Sequence, residues 1–172
     1  MAVTLEATIA VREGDESSEI PAAELYIGPM ITTLPAGGII THVRFPVWSE
    51  GRIGTGFHEV SARRSDFALV SGAAQVALDA DGTCLAIAVG VGGACDMPVR
   101  LEGLGEALVG RRLDEESIRD AVAAAAEALD TVDDLHASAA YRRRVAATLA
   151  RRAILQAQNE ARDKAMGAPR AG

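Results

Sequence analysis

The chain changes character once, near Pro98, and that change limits its fold more than any other feature. Before it, short apolar runs alternate with polar residues and are broken by glycine and proline, the period-two pattern of strands. After it, the sequence is alanine-rich and reads as helix. Strands first and helices afterwards predict an α+β arrangement, with helices against one face of a small antiparallel sheet, rather than a βαβ winding. The core must be built from Ala, Val, Leu and Ile, because 49% of residues are hydrophobic but only 3% are aromatic.

Along the first part, residues 3–11 read as a strand and the polar stretch 12–19 as a turn or loop. Residues 20–25 suit one short helical turn with Pro21 at its first position. Gly28-Pro29 breaks the chain, residues 35–38 turn, and 39–45 form a strand closed by Pro46. Strands at 54–61, 67–78 and 83–90 follow, the last two joined by a loop over 79–82. A short helix is expected over 101–109. Asp114 is placed to cap a helix over 115–129, with Glu115 and Glu116 in its first turn. Ser138 is placed to cap a last helix to about residue 162, on which Tyr141, Val145, Leu149 and Ala153 make an apolar stripe.

Several functions are disfavoured. A net charge of −7 and a pI near 5.0 argue against nucleic acid as a partner, because counterion release needs a basic face. Cys84 and Cys95 form no Cys-x-x-Cys and have no histidine at metal spacing, so the expectation is two free thiols, no metal site and no disulfide framework. No run reaches the ~18 apolar residues of a membrane span. The N-terminus lacks a basic region and carries Glu6 within its apolar stretch, so it is not read as a signal peptide, and a cytoplasmic location is expected. His42, His58 and His136 are far apart, and no nucleophile elbow is present, so no catalytic residue is assigned. His42 reads as a surface residue and His136 as a loop or capping group.

Two features invite binding readings. Gly90-Val91-Gly92-Gly93 follows a strand, but a dinucleotide fingerprint needs a helix to open directly after the glycines, and Ala94–Pro98 is loop. The arginines at 142–144, 151 and 152 read as a solvated helix face answering Asp130, Asp133 and Asp134. A third puzzle is the polar knot Ser61-Ala62-Arg63-Arg64-Ser65-Asp66, set between two apolar runs without the Asn-Gly or Asp-Gly of a tight hairpin.

Read together, six stretches resemble one family. Residues 23–29 (AELYIGP), 32–34 (TTL) and 38–46 (GIITHVRFP) are similar to a segment with the pattern A-E-F-F-x-G-P, T-x-L and G-E-L-L-T-E-V-R-F-P. Phe57 to Ala68 resembles F-E-K-x-x-R-R-x-G-D-F-A, and Pro98-Val99-Arg100 matches P-V-R. Residues 134–143 (DLHASAAYRR) are similar to D-I-H-A-S-A-E-Y-R-R. These patterns belong to the FAD-binding (medium) subunit of molybdenum hydroxylases, the group of xanthine dehydrogenase and carbon monoxide dehydrogenase. The resemblance runs from about residue 3 to residue 158. The family's two N-terminal glycine-rich loops, which hold the flavin pyrophosphate, have no counterpart in this sequence.

The resemblance implies a remnant of a mixed α/β FAD subdomain over 1–50, then a carbon monoxide dehydrogenase flavoprotein C-terminal-like domain over 51–162. The latter is expected to be a three-stranded antiparallel sheet packed with helices, and 163–172 a frayed tail. It implies a component of an oxidoreductase that passes electrons from 2Fe–2S clusters through FAD to an external acceptor. Molybdopterin would sit on a large partner subunit and the iron–sulfur clusters on a small one, and a separate chain could carry the N-terminal FAD subdomain. The alternative is a docking module of the same complex that holds no FAD. By position, Ile40 corresponds to the apolar residue laid against the isoalloxazine, and His58 or Glu59 to the polar position at the ring edge, where the family often has Lys. The resemblance places the knot at 61–66 beside the flavin, with Arg63 and Asp66 fixing the turn.

Overall fold

The structure is a computed structural model that describes residues 1–63 and 66–166; Arg64, Ser65 and the tail 167–172 lie outside the described residues. Its first unit is a three-stranded antiparallel sheet of β1 (Thr8–Glu13), β2 (Glu16–Pro21) and β5 (Ile39–Arg44), in the order β2-β1-β5. The stretch 12–19, expected as loop, is the end of β1, a two-residue turn and most of β2. Gly14 takes φ +59°, which a tight hairpin turn needs and glycine supplies without strain. The strand was hidden because β2 reads Glu-Ser-Ser-Glu-Ile-Pro, a polar edge strand in which only Ile20 is even half-buried. The first strand also starts later than expected. Residues 2–6 form a turn closed by the Ala7 N–H to the Ala2 carbonyl at 2.9 Å, with Glu6 at φ +53°.

Pro21 precedes α1 (Ala22–Leu25) rather than opening it. The chain then forms the small hairpin of β3 (Tyr26–Gly28) and β4 (Ile31–Thr32), bent at Pro29-Met30. The turn at 35–38 is closed by the Gly38 N–H to the Pro35 carbonyl at 2.8 Å. Val3, Ala7, Ile9, Val11, Ala22 and Leu25 form a small core of their own.

The second unit is a four-stranded antiparallel sheet of β6 (Arg52–Ser61), β7 (Ala68–Leu78), β8 (Cys84–Gly92) and β9 (Val99–Arg100), in that order. Three strands were expected; the fourth is a two-residue strand directly after Pro98, too short to show a period. The 79–82 loop is held by Asp79, whose Oδ1 accepts from the N–H groups of Asp81 and Thr83. Helix α2 (Leu104–Leu108) leads to α3 (Glu115–Glu127), where Asp114 and Ser117 form a reciprocal capping box. Helix α4 (Ala139–Met166) continues past the expected end at 162. Its first turn is capped by Ser138 Oγ, accepting from the Tyr141 N–H, and by Asp133 Oδ1, accepting from the Ala139 N–H.

The buried stripe of α4 is Arg142, Ala146, Leu149, Ala150, Ala153, Ile154, Ala157, Gln158 and Ala161, rotated from the stripe read in sequence. Tyr141 and Val145 are only half-buried, and Arg144 lies over the Tyr141 ring. The reason is close approach. A methyl on Gly54 would stand 1.9 Å from the Ala157 carbonyl oxygen, and one on Gly56 2.1 Å from that of Ala153. With helix backbone against strand backbone, only alanine fits the central line, and the larger apolar residues fall to its sides. The second core runs from Val70 to Ala161, with Leu78, Leu108, Ile118 and Ile154 among its largest fully buried members.

Candidate functional site

At one end of the four-stranded sheet the turn before β7, the turn after β8 and the loop before α4 surround a cavity of about 550 Å³. Asp66, Phe67 and Ala68 stand on one wall, Asp134, His136 and Arg142 on another, with Gly93 and Cys95 between them. Pro29 of the first unit completes the lining.

Arg142 ties these walls together. It is buried, and Nη1 donates to the carbonyls of Leu69 and Gly93, each at 2.6 Å. Its Nη2 donates to Asp134 Oδ2 at 2.5 Å. The Nε hydrogen is buried without a partner. Asp134 Oδ1 also accepts from the N–H groups of His136 and Ala137, both at 2.9 Å. The Arg142 hydrogen bond, followed by those two backbone donors, pulls the Asp134 carboxyl down to about 2.

The turn before β7 answers the puzzle of the polar knot. Ser61 Oγ donates to the Arg63 carbonyl at 2.9 Å, and Asp66 Oδ1 accepts from the Phe67 N–H at 2.9 Å. Arg63 Nε stands 3.5 Å from Asp66 Oδ2. Arg63 and Asp66 thus pair with each other and with the backbone around the bend, which leaves Phe67 95% exposed at the cavity mouth. The Cys95 thiol is pushed up by burial and then by Asp130 and Asp96, so it is a poor nucleophile. The buried Cys84 thiol is raised to about 11. The cavity therefore offers groups that bind and orient rather than a nucleophile paired with a base.

The residues singled out in sequence lie on two different sheets. Ile40 lies on β5, opposite Val11 and on the face of the small core, and is 43% exposed. His58 and Glu59 lie on β6. Side chains alternate along a strand, and Gly54 and Gly56 face α4. His58 therefore shares that side, lining a groove with Arg152, Leu155 and Gln156. Glu59 projects from the opposite face, in line with Ser71 and Gly92. Only one of the two can meet any one planar ring. His42 is exposed on β5.

The basic run on α4 is only partly a solvated face. Arg144 is exposed, but Arg142 is buried and Arg143 is half-buried, with Nη2 on the Leu129 carbonyl at 2.9 Å. Sequence reasoning paired the run with Asp134 but missed the burial of Arg142. The available signal was its place at i, i+4 and i+8 with Ala146 and Ala150, on the alanine line.

The arrangement of these sheets and the long helix has counterparts among solved molybdenum hydroxylases and their relatives. Superposed on quinoline 2-oxidoreductase from Pseudomonas putida 86, the chain gives a TM-score of 0.83 at 28% identity, over 93% of its own length and 55% of that chain. The reconstituted carbon monoxide dehydrogenase of Oligotropha carboxidovorans gives a TM-score of 0.84 at 25% identity, over 92% of this chain and 55% of that one. In sequence it is 34% identical over 138 residues to the nicotine 6-hydroxylase medium subunit of Paenarthrobacter nicotinovorans, covering 80% of this chain and 47% of that subunit. To the carbon monoxide dehydrogenase medium chain of Afipia carboxidovorans it is 30% identical over 151 residues, covering 87% of this chain and 52% of that one. Residues 55–157 match the model of the CO dehydrogenase flavoprotein C-terminal domain, and the chain belongs to that family. It spans about half the length of the curated relatives it matches.

The described residues suit one end of a flavin better than the other. The cavity and the apolar β5 face have the size and surface for a ring. Gly90 and Gly92 lie within β8, and the chain then passes through a turn into β9, so no helix opens on these glycines to meet a pyrophosphate. No helix among the described residues is long and apolar enough to cross a membrane.

Proposed function

We propose that the chain is part of the FAD-carrying medium subunit of a molybdenum-containing hydroxylase or dehydrogenase. In the assembled complex it would serve electron passage from iron–sulfur clusters through FAD to an external acceptor. The observation that carries this is the cavity, where the family-like segments 57–68 and 134–143, far apart in sequence, face each other across Arg142. When bound, the flavin supplies the redox chemistry. This chain's part is to hold the walls of the cavity and to offer an apolar surface at Ile40 and a carboxylate at Glu59, on the face of β6 away from α4. The molybdopterin would lie on a large partner subunit, the iron–sulfur clusters on a small one, and the compartment would be the cytoplasm. The pyrophosphate would be held by a polypeptide segment corresponding to the other half of the relatives.

A docking module without FAD is the second reading. The absence of a helix opening on the glycines favours it, as does the apolar surface at Ile27, Ile31, Ile39, Val43 and Phe45, each more than 40% exposed. Flavin content separates the two. The chain is purified alone and together with the large and small subunits and a polypeptide corresponding to the other half of the relatives, and FAD is measured after acid extraction. Stoichiometric FAD only in the joint preparation supports the first reading, and no FAD in either supports the second. Stoichiometric FAD on the chain alone would mean that residues 1–172 cradle the pyrophosphate by themselves.

A further inference from the structure

The four-stranded sheet has β6 as one edge, and an uncovered edge strand is a template for pairing with another chain. In β6 the residues whose backbone groups point away from β7 are spaced by two. Three of them are occupied by side chains of α4. The Thr55 N–H donates to Glu160 Oε2 at 2.7 Å, and the Thr55 hydroxyl donates to the same oxygen at 2.9 Å. The Phe57 N–H donates to Gln156 Oε1 at 3.3 Å. Lys164 Nζ donates to the Ile53 carbonyl at 2.6 Å and pairs with Glu160 at 2.8 Å.

The spacing explains why this works. Residues 156, 160 and 164 are four apart, a rise of about 6 Å along a helix. Residues 57, 55 and 53 are two apart, about 6.7 Å along a strand. Helix and strand run in opposite directions at nearly matched periods, so a single line of side chains meets three successive outward positions in turn. The reach is short because Gly54 and Gly56 let α4 rest directly on β6. A helix held off by side chains would place Gln156 and Glu160 too far from the edge. Glu160 and Lys164 lie beyond the part of the chain that matches the family model, residues 55–157.

We infer that the C-terminal half of α4 is an edge guard: Gln156, Glu160 and Lys164 close the β6 edge against strand addition, either by a partner or by a second copy of this chain. The guard acts by occupation of the backbone groups, not by charge alone. The carboxylate of Glu160 is the central element. It is held below the usual carboxylate range by Lys164 and then by the Thr55 N–H, so it remains an acceptor at neutral pH.

Amide exchange of the full chain tests this residue by residue. In Glu160→Ala, exchange at Thr55 should rise by about tenfold or more, as expected for loss of a charge-assisted hydrogen bond, while Phe57 changes less. Glu160→Gln keeps an acceptor and should stay near the parent. Circular dichroism at 222 nm confirms that each variant is folded. In the triple variant Q156A/E160A/K164A, light scattering should show association that increases with concentration beyond that of the parent. Equal Thr55 exchange in parent and Glu160→Ala would overturn the inference, as would a folded triple variant that associates no more than the parent.

Discussion

Replacing Gly56 by alanine tests the close seating of α4 on β6. The new methyl would stand 2.1 Å from the Ala153 carbonyl oxygen, 2.8 Å from its carbonyl carbon and 3.0 Å from its Cα. A relaxed carbon–oxygen contact is about 3.3 Å or more, so helix and strand must separate by roughly 1 Å. The obstacle is helix backbone in the middle of a 28-residue helix, which cannot rotate out of the way as a side chain could. Overpacking of this kind costs about 1–3 kcal/mol, and a backbone obstacle puts this case at the upper end. Relief of glycine's entropy offsets roughly 0.5–1 kcal/mol. The net expectation is a loss of about 2 kcal/mol, or about 4–8 °C in Tm for a chain of this size. Urea unfolding followed at 222 nm should show a lower midpoint at unchanged slope. Gly105 on α2 is the control. It has nothing within 4 Å of an added methyl and no positive φ, so Gly105→Ala should stabilise by up to about 1 kcal/mol. A Gly56→Ala midpoint at or above the parent's would refute the close seating of α4 on β6.

Other perturbations have equally definite outcomes. Arg142→Leu strips the donor from two carbonyls beneath the cavity and should cost about 3 kcal/mol in a thermal or urea melt. Because the folded Asp134 carboxyl titrates near 2, below its ordinary value of 3.8, its contribution is complete above pH 3.8 and lost as pH falls toward 2. Melting temperatures from pH 5 to 2 should therefore fall more steeply for the parent than for Asp134→Asn. Asp66→Ala removes the acceptor of the Phe67 N–H and the partner of Arg63, and should lower stability by about 1 kcal/mol on chemical denaturation.

What the sequence disclosed depended on whether a residue's surroundings were local. Strands β6, β7 and β8 have apolar runs bounded by turns, and Asp114 and Ser138 announce helix starts through their own chemistry, so these were legible. Strand β2 was not, because an exposed edge strand needs no apolar side chains and its register comes from β1. The face of α4 was misread because size decided less than distance: Tyr141 and Val145 are the larger residues, but glycines a hundred positions earlier admit only alanine to the contact line. The same distance effect buried Arg142 among backbone carbonyls of β7 and of the turn after β8 that no local pattern could assign to it. His58 and Glu59, adjacent in sequence, were separated by the pleat.

The closure of the β6 edge also sets an order in time. Thr55 and its partner Glu160 are 105 residues apart, and α4 is made after every other described element. At about 5–20 residues per second of synthesis, β6 leaves the ribosome roughly 5–20 s before the helix that covers it. During that interval β6 can pair with β7 and β8, but its outer backbone groups face water, and the glycines that later seat the helix leave a gap beneath it. The glycine-rich strand that makes the finished domain tight is thus a segment a nascent chain leaves open until α4 is complete. A stall in translation between β9 and α4 would prolong the period in which this chain is prone to pair with its neighbours.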